Sequence, residues 1–163
     1  MILCVGEILS DMIGGERGDA FVSERKAGGA PFNVACAAKR FGARVGFVGS
    51  VGDDLIGAVL EDFAEKRGLD RLLLKRDGER NTTLAFVQLD EKGERSFCFY
   101  RKNTADYHLP EIGEDMLREA DIVHIGSLML SKEEGRRYAS TLAARAKEAG
   151  KTVSFDVHFR TDI

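Results

Sequence analysis

Three places in this 163-residue chain carry groups suited to a polyhydroxylated ligand: Asp11 after an apolar N-terminal run, the pair Gly28-Gly29, and Asn33 behind Pro31. A carboxylate accepts hydrogen bonds from hydroxyls, and a Gly-Gly turn lets a ligand come close to backbone. Asn33 falls in the first turn of the helix that Pro31 opens, near its free N–H groups. Asp156 closes the last apolar run, and open parallel sheets bind ligands at the carboxyl ends of their strands. Together these groups offer polyol chemistry rather than metal chemistry. The competing reading makes Asp11 a surface turn residue and Gly28-Gly29 a tight turn leading into Pro31.

Other features point away from chemistry. Gly46, Gly49 and Gly52 form neither GxGxxG nor GxxxxGK[ST], so a dinucleotide fold or a P-loop is unsupported. His124 sits within an apolar run and reads as a core residue, His108 is uninformative, and Asp121, just before a strand, reads as structural. Cys4, Cys36 and Cys98 are far apart with no CxxC, which predicts buried free thiols in a reducing cytoplasm, with no disulfide framework or zinc site. A net charge of −3 leaves no basic surplus for a nucleic acid or an anionic membrane. No apolar run approaches the ~20 residues of a membrane-spanning helix, and the N-terminus lacks a basic leader.

The elements that would position these groups alternate between strand and helix. Residues 2–9 read as one buried strand. A helix runs from Pro31 to a stop at Gly42, with Val34, Ala37, Ala38 and Phe41 as its inward face. A strand follows around 45–48. The next helix is capped by Asp53 or Asp54, striped by Ile56, Val59, Leu60, Phe63 and Ala64, and ended by Gly68. Leu72-Leu73-Leu74 predicts another strand. Residues 82–101 read as an antiparallel hairpin with its tip at 90–93 and with Phe97 and Phe99 on one face. A short helix at 111–119, a strand at 121–126, a helix to Ala149 opened by a Ser131/Glu134 capping box, and a last strand at 152–157 complete the pattern. Such alternation implies right-handed crossovers and a mostly parallel sheet with helices on both faces.

Gly28-Gly29-Ala30-Pro31-Phe32-Asn33-Val34-Ala35, continuing through Ala37–Ala43 to Phe47-Val48-Gly49-Ser50-Val51-Gly52-Asp53-Asp54, resembles the N-terminal signature of the ribokinase (PfkB) family of carbohydrate kinases. Gly6-Glu7 with Asp11, Thr82–Val87, Gly93–Phe97 and Phe99-Tyr100-Arg101 resemble its fructokinase-like branch. The resemblance implies a Rossmann-like α/β fold with an antiparallel β lid formed by about 12–27 and 82–101. It further implies ATP- and Mg²⁺-dependent phosphorylation of a sugar hydroxyl, on fructose, a related ketose or a sugar acid, and a homodimer made through the lid.

By the same resemblance Asp11, Gly28, Gly29 and Asn33 hold sugar hydroxyls, and Tyr100 and Arg101 face the substrate. An Arg there could grip a carboxylate bidentately, or could merely solvate the lid's outer face. The family's Asp-x-Asn-x-Arg pattern stands here as Asp156-Val157-His158-Phe159-Arg160, with His158 in place of Asn and Arg160 as a further substrate ligand. The family's nucleotide half, with its Gly-rich anion hole and catalytic Asp, has no counterpart in these 163 residues, so no catalytic base is assigned. The alternatives are a non-catalytic sugar-binding or dimerising fragment, or a second chain that supplies the nucleotide half.

Overall fold

The structure, a computed structural model, describes residues 1–89 and 95–157. In chain order its strands are β1 (Ile2–Val5), β2 (Leu9–Arg17), β3 (Ala20–Gly28), β4 (Val45–Gly52), β5 (Arg71–Asp77), β6 (Leu84–Leu89), β7 (Arg95–Tyr100), β8 (Ile122–Gly126) and β9 (Thr152–Asp156). Its helices are α1 (Ala30–Arg40), α2 (Leu55–Glu65), α3 (Glu114–Glu119) and α4 (Glu133–Glu148).

Five strands form a wholly parallel sheet in the order β5-β4-β1-β8-β9. Alternation along β1 sorts its side chains to two cores. Leu3 and Val5 pack with Met116, Leu117, Met129 and Leu142 beneath α3 and α4. Cys4 faces the opposite side, where Phe32, Phe47, Leu60 and Ala64 lie beneath α1 and α2. The Phe32 and Phe47 rings meet edge to face, centroids 5.0 Å apart. Helices therefore cover both faces, as the alternating pattern predicts.

The apolar run 2–9 is not one strand. Gly6 takes φ 149°, and the chain leaves the parallel sheet there to enter a second one as β2. That sheet has the order β3-β2-β6-β7, with antiparallel β2/β3 and β6/β7 hairpins joined by parallel pairing of β2 with β6. The second sheet is thus mixed and four-stranded, and the predicted hairpin at 82–101 is half of it.

Three smaller expectations are corrected. On α1 the buried residues are Pro31, Phe32 and Ala35, while Val34 and Ala37 are exposed and Phe41 is 91% exposed. The helix has apolar residues on several sides, and the aromatic contact with Phe47 decides which side is buried. The Ser131/Glu134 box does not form. Ser131 ends a 3-10 turn, Leu128–Ser131, and its hydroxyl donates to the Leu128 carbonyl at 2.9 Å, so Lys132 takes the N-cap position of α4. The short helix starts at Glu114 rather than 111. On α2, Asp54 is the cap, accepting from the Gly57 N–H at 2.7 Å.

Candidate functional site

Where the parallel sheet meets the lid, a cavity of about 220 Å³ opens. Its floor comes from the carboxyl ends of β1 and β8, through Glu7, Ser127 and Leu128. One wall is the start of α1, with Gly29, Ala30 and Asn33. The roof is the inner face of the lid: Leu9 and Asp11 two apart on β2, Phe97 and Phe99 two apart on β7. Strand register explains the roof. Asp11, Ala85 and Phe99 lie side by side across β2, β6 and β7, so their side chains share one face, with a small alanine between the carboxylate and the ring. Phe97 and Phe99 stack with centroids 6.0 Å apart.

The two glycines have separate reasons. Gly28 lies under the Asp11 carboxylate, and a Cβ there would collide with Oδ2. Gly29 takes φ 110°, and a Cβ there would collide with the Glu7 carbonyl oxygen. Gly29→Val is accordingly expected to lower stability by at least ~1–3 kcal/mol through backbone strain alone. A melting curve that matches the wild type would contradict this geometry.

Glu7 is 2% exposed. Its Oε1 accepts from the Ala30 N–H at 3.0 Å, and its Oε2 is buried without a hydrogen bond. Burial pushes the carboxyl up to about 7; its own backbone N–H and then the Ala30 N–H oppose the shift, the Asp106 charge adds to it and the Arg101 charge opposes it.

Of the sequence-predicted ligands, the structure brings Asp11, Gly29 and Asn33 to the cavity, with Gly28 directly behind Asp11. It does not bring Tyr100 or Arg101 there. Tyr100 is 61% exposed and packs edge-on against Phe86, at 5.3 Å, on the lid's other face. Arg101 is neither solvated nor among the described lining. It is 6% exposed and ion-paired with Asp106, it donates to Ser131 Oγ at 3.1 Å and Leu128 O at 3.4 Å, and it lies 4.3 Å over the Tyr107 ring. Asp106 also accepts from Thr83 Oγ1 at 2.5 Å and Thr104 Oγ1 at 2.6 Å. Both Tyr100 and Arg101 line a separate hollow of about 500 Å³ beside Asp54 and Thr82. Asp156 is exposed at the end of β9, and His158 and Arg160 lie outside the described residues.

Glu7, Ser127 and Leu128 were not legible as site residues. For Glu7 the signals were a lone carboxylate inside the apolar run 2–9 and its place in the Gly6-Glu7 match to the fructokinase-like branch. His124 is a core residue, as expected, with Nδ1 3.0 Å from Ser154 Oγ. Burial holds its imidazole below the usual range, and the Asp156 charge partly offsets this. Asp121 pairs with the N-terminal ammonium. All three cysteines are free; Cys4 is buried and Cys36 half-buried, but Cys98 is exposed on β7, against expectation. No helix among the described residues is long and apolar enough to cross a membrane.

A wholly parallel α/β sheet covered by helices on both faces, with a second, mixed sheet set over its strand ends and the start of α1, defines the class of fold. The chain belongs to the pfkB family of carbohydrate kinases, matching it over residues 1–162. It is 37% identical to fructokinase-2 of Oryza sativa subsp. japonica over 166 residues, covering 98% of this chain and 49% of that protein. Among crystal structures, the fructokinase of Xylella fastidiosa superposes with a TM-score of 0.88 at 37% identity, covering 98% of this chain and 50% of that one. The same fructokinase with bound ATP gives a TM-score of 0.87. The chain spans about half the length of the curated relatives it matches.

ATP and Mg²⁺, which the family implies, find no cradle in this cavity. No lysine or arginine is among the cavity's described lining, no phosphate-binding glycine motif is present, and no three His, Cys, Asp or Glu residues cluster to hold an ion.

Proposed function

We propose that this chain carries the sugar-binding and lid portion of a fructokinase-like carbohydrate kinase, with the lid formed by about 12–27 and 82–101, and that its cavity takes a neutral ketose. The observation that supports this most is the convergence of Asp11, Gly29 and Asn33 on one enclosed space. There the Asp11 carboxylate accepts from sugar hydroxyls, Asn33 offers both a donor and an acceptor, and Phe97 and Phe99 cover the apolar face of the ring. The lid excludes water from the hydroxyl to be phosphorylated. Mg-ATP and the proton acceptor belong, on this reading, to sequence outside these 163 residues.

A neutral sugar fits better than a sugar acid. The described lining holds two carboxyls and no cation. The charge of Arg101 is already matched by Asp106, and Lys26, opposite Asp11 on β3, lies 3.4 Å from Glu24. The outer face of the lid exposes Tyr100, packed edge-on against Phe86, which supports a homodimer made through that sheet.

Calorimetric titration tests the site. Asp11→Ala is expected to weaken fructose binding about 10- to 100-fold, the loss of a charged acceptor for buried hydroxyls. A sugar acid such as gluconate is expected to bind the wild type more weakly than fructose. Equal fructose affinity in wild type and Asp11→Ala would remove Asp11 from the site.

A further inference from the structure

The lid joins the core through four crossings. The chain leaves through residues 6–8 into β2, returns through 28–30 into α1, leaves again through Thr83 into β6 and returns after Tyr100. Asp106 links the second pair, holding Thr83 on the way out and Arg101 on the way back. Glu7 stands in the matching place at the first pair. It lies in the outgoing crossing, and its Oε1 accepts from Ala30 in the returning one. Its carbonyl packs on Gly29 so closely that no side chain fits there. Its second oxygen is enclosed: a Cβ added to Gly126 would lie 3.0 Å from Oε2 and 2.8 Å from Pro31 Cγ.

A buried carboxyl with one oxygen unpartnered is costly, and a fold that only needed to fill this space would do so with an apolar side chain. What the carboxyl supplies, and an apolar group cannot, is an acceptor for Ala30. That N–H is the first of α1 and lacks an intrahelical partner. Fixing it fixes the wall that carries Gly29 and Asn33 against the strand that carries Asp11.

We propose that Glu7 is a positioning residue of the sugar site: it clamps the strand leaving for the lid to the segment returning from it, and so sets Gly29, Ala30 and Asn33 against Asp11. The role in sugar binding rests on the proposed function above; the clamp itself does not.

Two variants of the full chain test it. Glu7→Met fills the space without an acceptor, and Glu7→Gln keeps the acceptor. Amide hydrogen exchange and fructose titration are read on each. Glu7→Met is expected to speed exchange at Ala30 by about 10-fold or more, with β8 and α4 unchanged. It should also weaken fructose about 10-fold, and Glu7→Gln should recover both measures to within about 3-fold of wild type. Unaltered Ala30 exchange in Glu7→Met, equal losses in Glu7→Gln, or exchange raised equally throughout β8 and α4 would overturn the clamp. Should Glu7→Met not fold, the wild type decides, because Ala30 is then expected to exchange at least about 100-fold more slowly than a free amide. Exchange at the free rate would refute the proposal. If the wild type binds no fructose while the exchange pattern holds, the sugar reading fails and the clamp stands.

Discussion

Asp106→Ala is expected to destabilise this chain by ~3–5 kcal/mol, the largest single effect among the residues around the cavity. The substitution leaves the Arg101 guanidinium buried, with its opposing charge gone and only Ser131 Oγ and the Leu128 carbonyl to receive it. It also strips Thr83 and Thr104 of their shared acceptor. Arg101→Met should cost less, because Asp106 keeps both hydroxyl donors. Replacing the pair together, Arg101→Met with Asp106→Leu, should recover much of the loss, since a buried ion pair exchanged for apolar groups of similar volume is often close to neutral. Urea unfolding of the three variants checks this. An Asp106→Ala midpoint near that of wild type would mean that Arg101 is not held as described.

The second large effect is the dependence of stability on pH through Glu7. Its carboxyl is raised from the ordinary 4.5 to about 7 by burial, with Ala30 and Arg101 opposing the shift and Asp106 adding to it. Asp11 is the other carboxyl that lines the cavity. Below about pH 4.5 the folded and unfolded chains both hold the proton, and the group's full contribution to stability is present. Between 4.5 and about 7 the folded chain keeps a proton that the unfolded chain has released, so stability falls as pH rises, by ~3 kcal/mol in all. Above that the contribution is constant. Glu7→Gln has no proton to lose. Relative to wild type it should gain ~3 kcal/mol between pH 4.5 and pH 8, with most of the change complete by pH 7. His124, held below its usual range, acts in the opposite direction but is common to both proteins and cancels. Parallel stability curves for wild type and Glu7→Gln across that range would show that folding does not raise the Glu7 carboxyl.

The parallel sheet and its helices were legible because long apolar runs separated by Gly and capping residues admit few arrangements. The lid was legible only in part. Phe97 and Phe99 alternate within a β-rich segment and announce β7, whereas β2 and β3 carry Asp11, Arg25 and Lys26 among their residues, so the two-residue Gly18-Asp19 turn between them has no clear apolar alternation on either side. The departure at Gly6 was hidden because hydrophobicity is continuous from Ile2 to Leu9 on both sides of the bend. The face of α1 was ambiguous for a related reason. Alanines occupy several sides, and the rings of Phe47 and Phe63, brought close by tertiary packing, select Phe32 over Phe41.

The site divides in the same way. Asp11, Gly28, Gly29 and Asn33 were found because their chemistry is local: a carboxylate, a turn and a helix start. Arg101 was misplaced because its destination depends on Asp106, five residues on beyond a turn, and on Ser131, which the sequence offers as a helix cap. Glu7 was missed because its partner, Ala30, is 23 residues away, across the whole β2/β3 hairpin.

Titration of the isotopically labelled chain with fructose, followed by amide chemical shifts, tests the sugar site most directly. Saturable shifts are predicted at Gly28, Gly29, Ala30 and Asn33 and at Phe97 and Phe99, with none of them in Asp11→Ala. No saturable shift at those amides, or shifts gathered instead around the hollow of about 390 Å³ between Ile112 and Arg145, would contradict the account.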